Sequence, residues 1–132
     1  MNKHVKEISA GIQKAYIDGT LDTNLAYSPQ FLTNDHQKGT KVLTYIENEL
    51  MHCDAFSISV AFISRSGFVA LSQTLKELEK KGIRGRILTT DYLTFSDPYA
   101  LDRLSELSNV ELRMYRVRDE GVGFHTKGYL FR

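Results

Sequence analysis

The chain is 132 residues long, which makes one domain, or a large piece of one, the natural unit and leaves room for a single core. Seventeen Lys and Arg against sixteen Asp and Glu leave a formal charge of +1, so the whole molecule has no field that selects a polyanion, and a nucleic-acid site has to come from local clustering. No apolar run approaches the roughly 20 residues of a membrane span, no signal-type apolar core follows Met1, and Cys53 stands alone, which excludes an intrachain disulfide and a multi-cysteine zinc site; the reading is a cytoplasmic protein with no membrane contact.

Val5, Ile8, Ile12 and Ala15/Tyr16 recur at helical spacing before Asp18-Gly19, predicting a leader helix with one apolar face. Residues 20–37 are rich in Thr, Asn, Asp and Ser but also carry Leu25, Tyr27, Phe31 and Leu32, so residues 1–37 are expected to form a helix and an irregular segment docked on a main body of residues 38–132. From Thr40, the set Val42, Leu43, Ile46 and Leu50 predicts an amphipathic helix that ends near His52-Cys53. Phe56 to Ile63 reads as a buried strand, followed by a helix over 67–81 in which Phe68, Leu71, Leu75 and Leu78 share one face and Gly82 closes the end. Arg86-Ile87-Leu88-Thr89 supplies the next strand, and Asp97-Pro98 supplies an N-cap with proline at the first helical position, ahead of Leu101, Leu104 and Leu107. Val110, Leu112 and Met114 alternate with Glu111, Arg113 and Tyr115, the period of a half-exposed strand, and after Gly121 and Gly123 the last strand is expected over Phe124–Phe131. The order β-α-β-α-β-β predicts an α/β fold with a mixed, mostly parallel sheet flanked by helices.

In such sheets ligands gather beyond the carboxyl ends of the parallel strands. Here that means Ser64-Arg65-Ser66-Gly67 and Thr89-Thr90-Asp91-Tyr92, which makes Ser64, Ser66, Gly67, Thr89 and Thr90 candidates for holding phosphate oxygens. Helix capping is the plainer role for the Ser64–Gly67 group and weighs more heavily, because Ser-x-x-Gly before a helix is common. His4, His36 and His52 have no spacing to one another or to carboxylates that builds a metal site, so no metal is expected. Two basic clusters, Lys80, Lys81, Arg84 and Arg86, and then Arg113, Arg116 and Arg118, read as solvated faces unless they lie on the side of a phosphate site.

The most informative segment is Phe124-His125-Thr126-Lys127-Gly128-Tyr129-Leu130-Phe131. Residues two apart on a strand face the same way, so His125 and Lys127 would stand side by side, roughly 7 Å apart at Cα, as a nucleophile beside a phosphate-binding cation. For an isolated His-x-Lys the ordinary outcome is structural, with a satisfied histidine and a solvated lysine. The segment, however, resembles the His-x-Lys signature of the phospholipase D superfamily, in the form found in bacterial nuclease domains placed ahead of superfamily II helicases. Cys53-Asp54-Ala55-Phe56 into Val60-Ala61-Phe62-Ile63, Arg84-Gly85-Arg86-Ile87-Leu88-Thr89-Thr90 and Asn109-Val110-Glu111-Leu112-Arg113 are similar to that group's strand segments, in the same order, and the resemblance covers residues 28–132.

The resemblance implies a phospholipase D-like nuclease or phosphodiesterase domain that acts on or binds DNA as an accessory to a helicase. His125 would attack phosphorus to give a phosphohistidine, Lys127 would neutralise the non-bridging oxygens, and neither a metal nor another cofactor would be needed, ATP serving only a helicase part outside this chain. Because one His-x-Lys is present, the second histidine would come from another subunit, so the resemblance implies a homodimer. The family pattern has Asp five residues after the lysine, where this chain has Arg132, and continues into a Gly-Ser-x-Asn element; these residues are therefore expected to be the front portion of such a domain, inactive alone. A catalytically inactive nucleic-acid-binding or dimerisation module is the alternative.

Overall fold

The computed structural model describes residue 3, residues 31–37 and residues 39–132, so the predicted leader helix lies outside the described residues, as does most of the irregular segment after it. The chain divides into two compact units, Met1–Val42 and Leu43–Arg132. In the first, Asp35 and Thr40 form an antiparallel bridge around a turn in which Gly39 has φ +68°. The Asn34 side chain accepts a 2.9 Å hydrogen bond from the Val42 amide, satisfying one of the amides that a helix start leaves without a partner.

The second unit is an α/β fold with a four-stranded mixed sheet. Helix α1 spans Val42–His52, followed by β1 (Ala55–Val60), α2 (Arg65–Lys80), β2 (Arg84–Thr90), α3 (Pro98–Ser105), β3 (Val110–Tyr115), the short α4 (Val117–Glu120) and β4 (Lys127–Phe131). The sheet order is β3-β2-β1-β4, with β1, β2 and β3 parallel and β4 antiparallel to β1. The two crossovers, β1-α2-β2 and β2-α3-β3, step across the sheet in the same direction. Because such crossovers share one hand in about 98% of cases, both helices fall on the same face. Burial agrees: Leu50 of α1, Leu75 and Leu78 of α2 and Leu104 of α3 form one cluster with Phe56, Ile58, Val60 and Ile87 of the sheet. The strands therefore alternate, and the opposite face carries Ser57, Ser59, Arg84, Arg86, Leu88, Glu111, Arg113 and Leu130, the last 73% exposed.

The helix ends follow local chemistry. Ser64 caps α2 by accepting from the Gly67 amide at 3.1 Å, so the helix starts at Arg65, ahead of the predicted residue 67, and Gly82 takes φ +70° just past its end. Asp97 caps α3 through Ala100, with Pro98 at the first helical position as the sequence predicts. The strand ends differ from the expectation. β1 stops at Val60, short of Ile63, because Ile63 turns its amide to the Ser96 hydroxyl at 3.2 Å. β4 begins at Lys127, after Phe124, because its partner β1 has ended opposite it, at the Val60 and Lys127 pair. Cys53 is buried against the Leu50 carbonyl at 3.2 Å, and burial pushes its thiol pKa up, which keeps it protonated and unreactive.

Gly85 faces Phe56 across β1 and β2, and a Cβ there would overlap the Phe56 ring, which is 3% exposed and has nowhere to move. Gly85→Ala is expected to lower stability by about 1–3 kcal/mol through overpacking. The same change in a Phe56→Leu background should be less harmful, and a double-mutant cycle by chemical denaturation reads this coupling.

Glu79 ties α2 to the turn before β3, its carboxylate accepting from the Ser108 amide at 2.7 Å and the Ser108 hydroxyl at 2.8 Å. These two bonds, the backbone one first, hold its pKa below the ordinary glutamate value. A depressed carboxylate contributes stability above its unfolded pKa, about 4.3, and loses it as pH falls through the lower folded value. Glu79→Gln should therefore be less stable than the parent at neutral pH, and denaturation midpoints of the two should converge at pH values below about 4.

Candidate functional site

The residues beyond the carboxyl ends of β1, β2 and β3 meet the start of β4 and form a crest along one end of the sheet. Its frame is the Ala61 peptide, 1% exposed. The Ala61 amide donates to the Thr126 carbonyl at 3.1 Å, and the Ala61 carbonyl accepts from the Thr90 hydroxyl at 2.7 Å. The first bond extends the β1 and β4 ladder past the end of both strands and pins the segment between His125 and Lys127. The second fastens the end of β2 to the end of β1, and the Thr90 hydroxyl in turn accepts from the Tyr92 amide at 3.1 Å.

On this frame His125 Nε2 and Lys127 Nζ lie 3.4 Å apart, both side chains exposed. An ammonium group has donors only, so this contact is a hydrogen bond when Nε2 carries a lone pair, the state a nucleophilic imidazole requires. The Phe62 ring flanks both groups, with its centroid 6.0 Å from that of His125 and 5.7 Å from Lys127 Nζ, within cation–π range. His125 precedes β4 and is held by the Ala61 bond to its neighbour rather than by the sheet ladder itself. Among the described residues no carboxylate pairs with it.

The other candidates fall into two groups. Ser64, Ser66 and Gly67 line one cleft with Phe62, but Ser64 spends its hydroxyl on the Gly67 amide and meets the Ser66 hydroxyl at 3.1 Å, which is the capping role. Thr89 and Thr90 are both 0% exposed. Thr89 bonds the Ser96 hydroxyl at 3.3 Å and Thr90 is committed to Ala61 and Tyr92, so their hydroxyls hold the crest together and face away from any ligand on its surface. Of the basic clusters, Arg84, Arg86 and Arg113 project from the helix-free face, where Arg86 and Arg113 share Glu111, while Lys80 pairs with Glu77 and Arg116 with Asp119. Among the described residues no group of three or more His, Cys, Asp or Glu could hold a metal ion, and no helix is long and apolar enough to cross a membrane. No protein-family model matches the chain, and no curated protein matches it.

Sequence reasoning placed Tyr92 in a ligand-side segment and Phe62 at the end of a strand but made neither of them, nor Phe95, a site residue. The signal available was their position, since each follows the carboxyl end of a parallel strand where solvent-facing aromatics have no packing purpose. The frame itself is testable. Thr90→Val keeps the shape of the side chain but leaves the Ala61 carbonyl and the Tyr92 amide without a partner, with an expected loss of about 1–3 kcal/mol in chemical denaturation. Thr90→Ser keeps the hydroxyl and should retain most of that stability.

Proposed function

We propose that this chain is a phospholipase D-like phosphodiesterase domain that acts on or binds DNA as an accessory to a superfamily II helicase, with His125 as nucleophile and Lys127 as the cation that receives the phosphate. The observation that carries the reading is the 3.4 Å approach of His125 Nε2 to Lys127 Nζ on the exposed carboxyl crest of the parallel strands. A phosphodiester arriving there would draw the Lys127 ammonium onto a non-bridging oxygen and release the Nε2 lone pair for attack on phosphorus. The new N–P bond would form as the bond to the leaving oxygen breaks, and a proton for that oxygen would come from the histidine of a second copy in a homodimer. Water would then hydrolyse the phosphohistidine. No step calls on a metal or another cofactor, and a phospholipid surface is the poorer substrate for a chain of net charge +1.

One observation favours the second reading, a nucleic-acid-binding or dimerisation module without turnover. His125 has no carboxylate partner among the described residues, and such a partner normally fixes the tautomer and orientation of a catalytic imidazole. A phosphodiester reporter assayed in chelator with the full-length protein separates the two. Turnover that disappears in His125→Ala, with an acid-labile phosphohistidine trapped in the parent, is the expected result. Nucleic-acid binding without turnover would establish the module, and turnover that survives His125→Ala would overturn the assignment.

A further inference from the structure

The loop after β2 is built in an unusual way. Its base is fixed: Asp91 receives the Val117 amide at 2.8 Å, Ser96 bonds Thr89 and the Ile63 amide, and the Asp97 amide reaches the Ile63 carbonyl at 2.8 Å. Its tip is turned outward, with Leu93 at φ +48° and Thr94 at φ +55°, left-handed conformations that side chains with a Cβ adopt at a cost. The result is that Tyr92 and Phe95 stand 42% and 55% exposed beside Phe62, itself 36% exposed. Phe95 meets Phe62 edge-to-face at 5.9 Å and Tyr92 at 6.2 Å. Packing does not account for this, because the helices and the core lie on the sheet face below. Phe62 joins the cluster to His125 and Lys127, so a row of exposed aromatic rings runs directly into the phosphate-binding pair.

We propose that Phe62, Tyr92 and Phe95 form a stacking platform for unpaired bases, so that the substrate presented to His125 and Lys127 is single-stranded nucleic acid. This rests on the phosphodiester reading of the pair and adds the class of nucleic acid to it. Exposed ring faces beside a cation fit a strand whose bases are free to stack, since every base has a π-face and the phosphate that follows it needs one positive partner. A duplex hides its base faces and offers its phosphates, and those are best held by a dense basic surface. This chain has a net charge of +1, Arg84, Arg86 and Arg113 point from a different face, and of the arginines that follow β1 and β3, Arg65 is paired with Asp97 at 3.7 Å and Arg116 with Asp119 at 3.4 Å, so among the described residues a duplex would find little unpaired positive charge to hold it at the crest. The pairing of Arg65 and Arg116 with carboxylates equally disfavours an anionic membrane.

The experiment is fluorescence anisotropy with the full chain and three probes: an oligothymidylate of about twelve nucleotides, an abasic oligomer of the same length, and a duplex containing the thymidylate strand. The thymidylate should bind more tightly than either of the others. Phe95→Ala and Tyr92→Ala should each weaken thymidylate binding on the order of tenfold or more while leaving abasic binding unchanged. Phe95→Trp should retain affinity and Phe95→Leu should not, which separates stacking from apolar bulk. Phe95 is half exposed, so these variants should fold, and thermal melting of each checks that they do. Equal affinity for thymidylate and abasic strands, or affinity indifferent to Phe95, would overturn the platform even if His125-dependent cleavage were intact. Binding of anionic vesicles lost in Phe95→Ala, without discrimination between the strands, would also overturn it. Thymidylate selectivity with no turnover would support the platform and leave only the catalytic reading to fall.

Discussion

The arrangement of the crest depends on the two hydrogen bonds of one buried peptide, that of Ala61. Its amide holds Thr126 and its carbonyl holds Thr90, so three strands that come from distant parts of the sequence are fixed where their ladders run out. Strand ends normally fray, because each successive residue has fewer ladder bonds to keep it in place. Here a 1% exposed residue with both backbone groups satisfied extends the order one residue further and carries it to the segment that bears His125 and Lys127. The buried hydroxyls of Thr89, Thr90 and Ser96 do the same for the loop after β2. A small buried polar network is costly when partly satisfied and rigid when complete, and this one joins both sides of the crest.

Beneath the crest, the sheet works because helices cover one face only. Successive crossovers in one direction place α2 and α3 together, and Phe56 fills the space that Gly85 leaves in the adjacent strand. The charged residues of β2 and β3 are sorted to the other face by the same alternation. For Arg84 and Arg86 nearness in sequence is not nearness in space: they are close along the chain to Thr89 and Thr90 but share neither their surroundings nor the crest.

The elements were legible where a single local rule acts. The Asp97-Pro98 start, the Gly82 stop and the helical spacing of Leu71, Leu75 and Leu78 all depend on nearby residues and appear in the structure at their expected places, and the alternation of β3 holds from Val110 to Arg113 but reverses at its end, where Met114 is exposed and Tyr115 half-buried. The His125 and Lys127 pair was legible as a juxtaposition, although the contact comes from a bond at Thr126 and not from a continuous strand. What could not be read was direction. A threonine after a strand looks polar and available, and nothing in Thr89-Thr90 says that both hydroxyls turn inward to partners as remote in sequence as Ala61 and Ser96. The same holds in reverse for Phe62 and Phe95, whose apolar character suggests burial while the fold leaves them outside. The early end of β1 has this origin too, since Ile63 leaves the ladder for a serine hydroxyl that belongs to the other loop.

Exposed groups and a fixed frame answer two different demands of a surface site. In the proposed function a nucleophile and its cation would have to meet a large anionic substrate, and His125 and Lys127 do stand in solvent, where side chains are ordinarily mobile and weakly held. Their separation must nevertheless be kept, because a displacement of the order of 1 Å at the reacting atoms is enough to lose much of the advantage of pre-organisation. Burying the pair would fix the geometry at the expense of access, and a loop alone would give access without geometry. The fold resolves this by placing the ordering interactions one residue away from the reactive ones. Thr126, between the two, carries the backbone bond, and Phe62 sets its ring beside both while leaving them exposed. Among the described residues no carboxylate meets the histidine ring, whose neighbours are Lys127 and the Phe62 ring, so under the proposed function an anion that draws Lys127 away would change the environment of Nε2 as the nitrogen is called on.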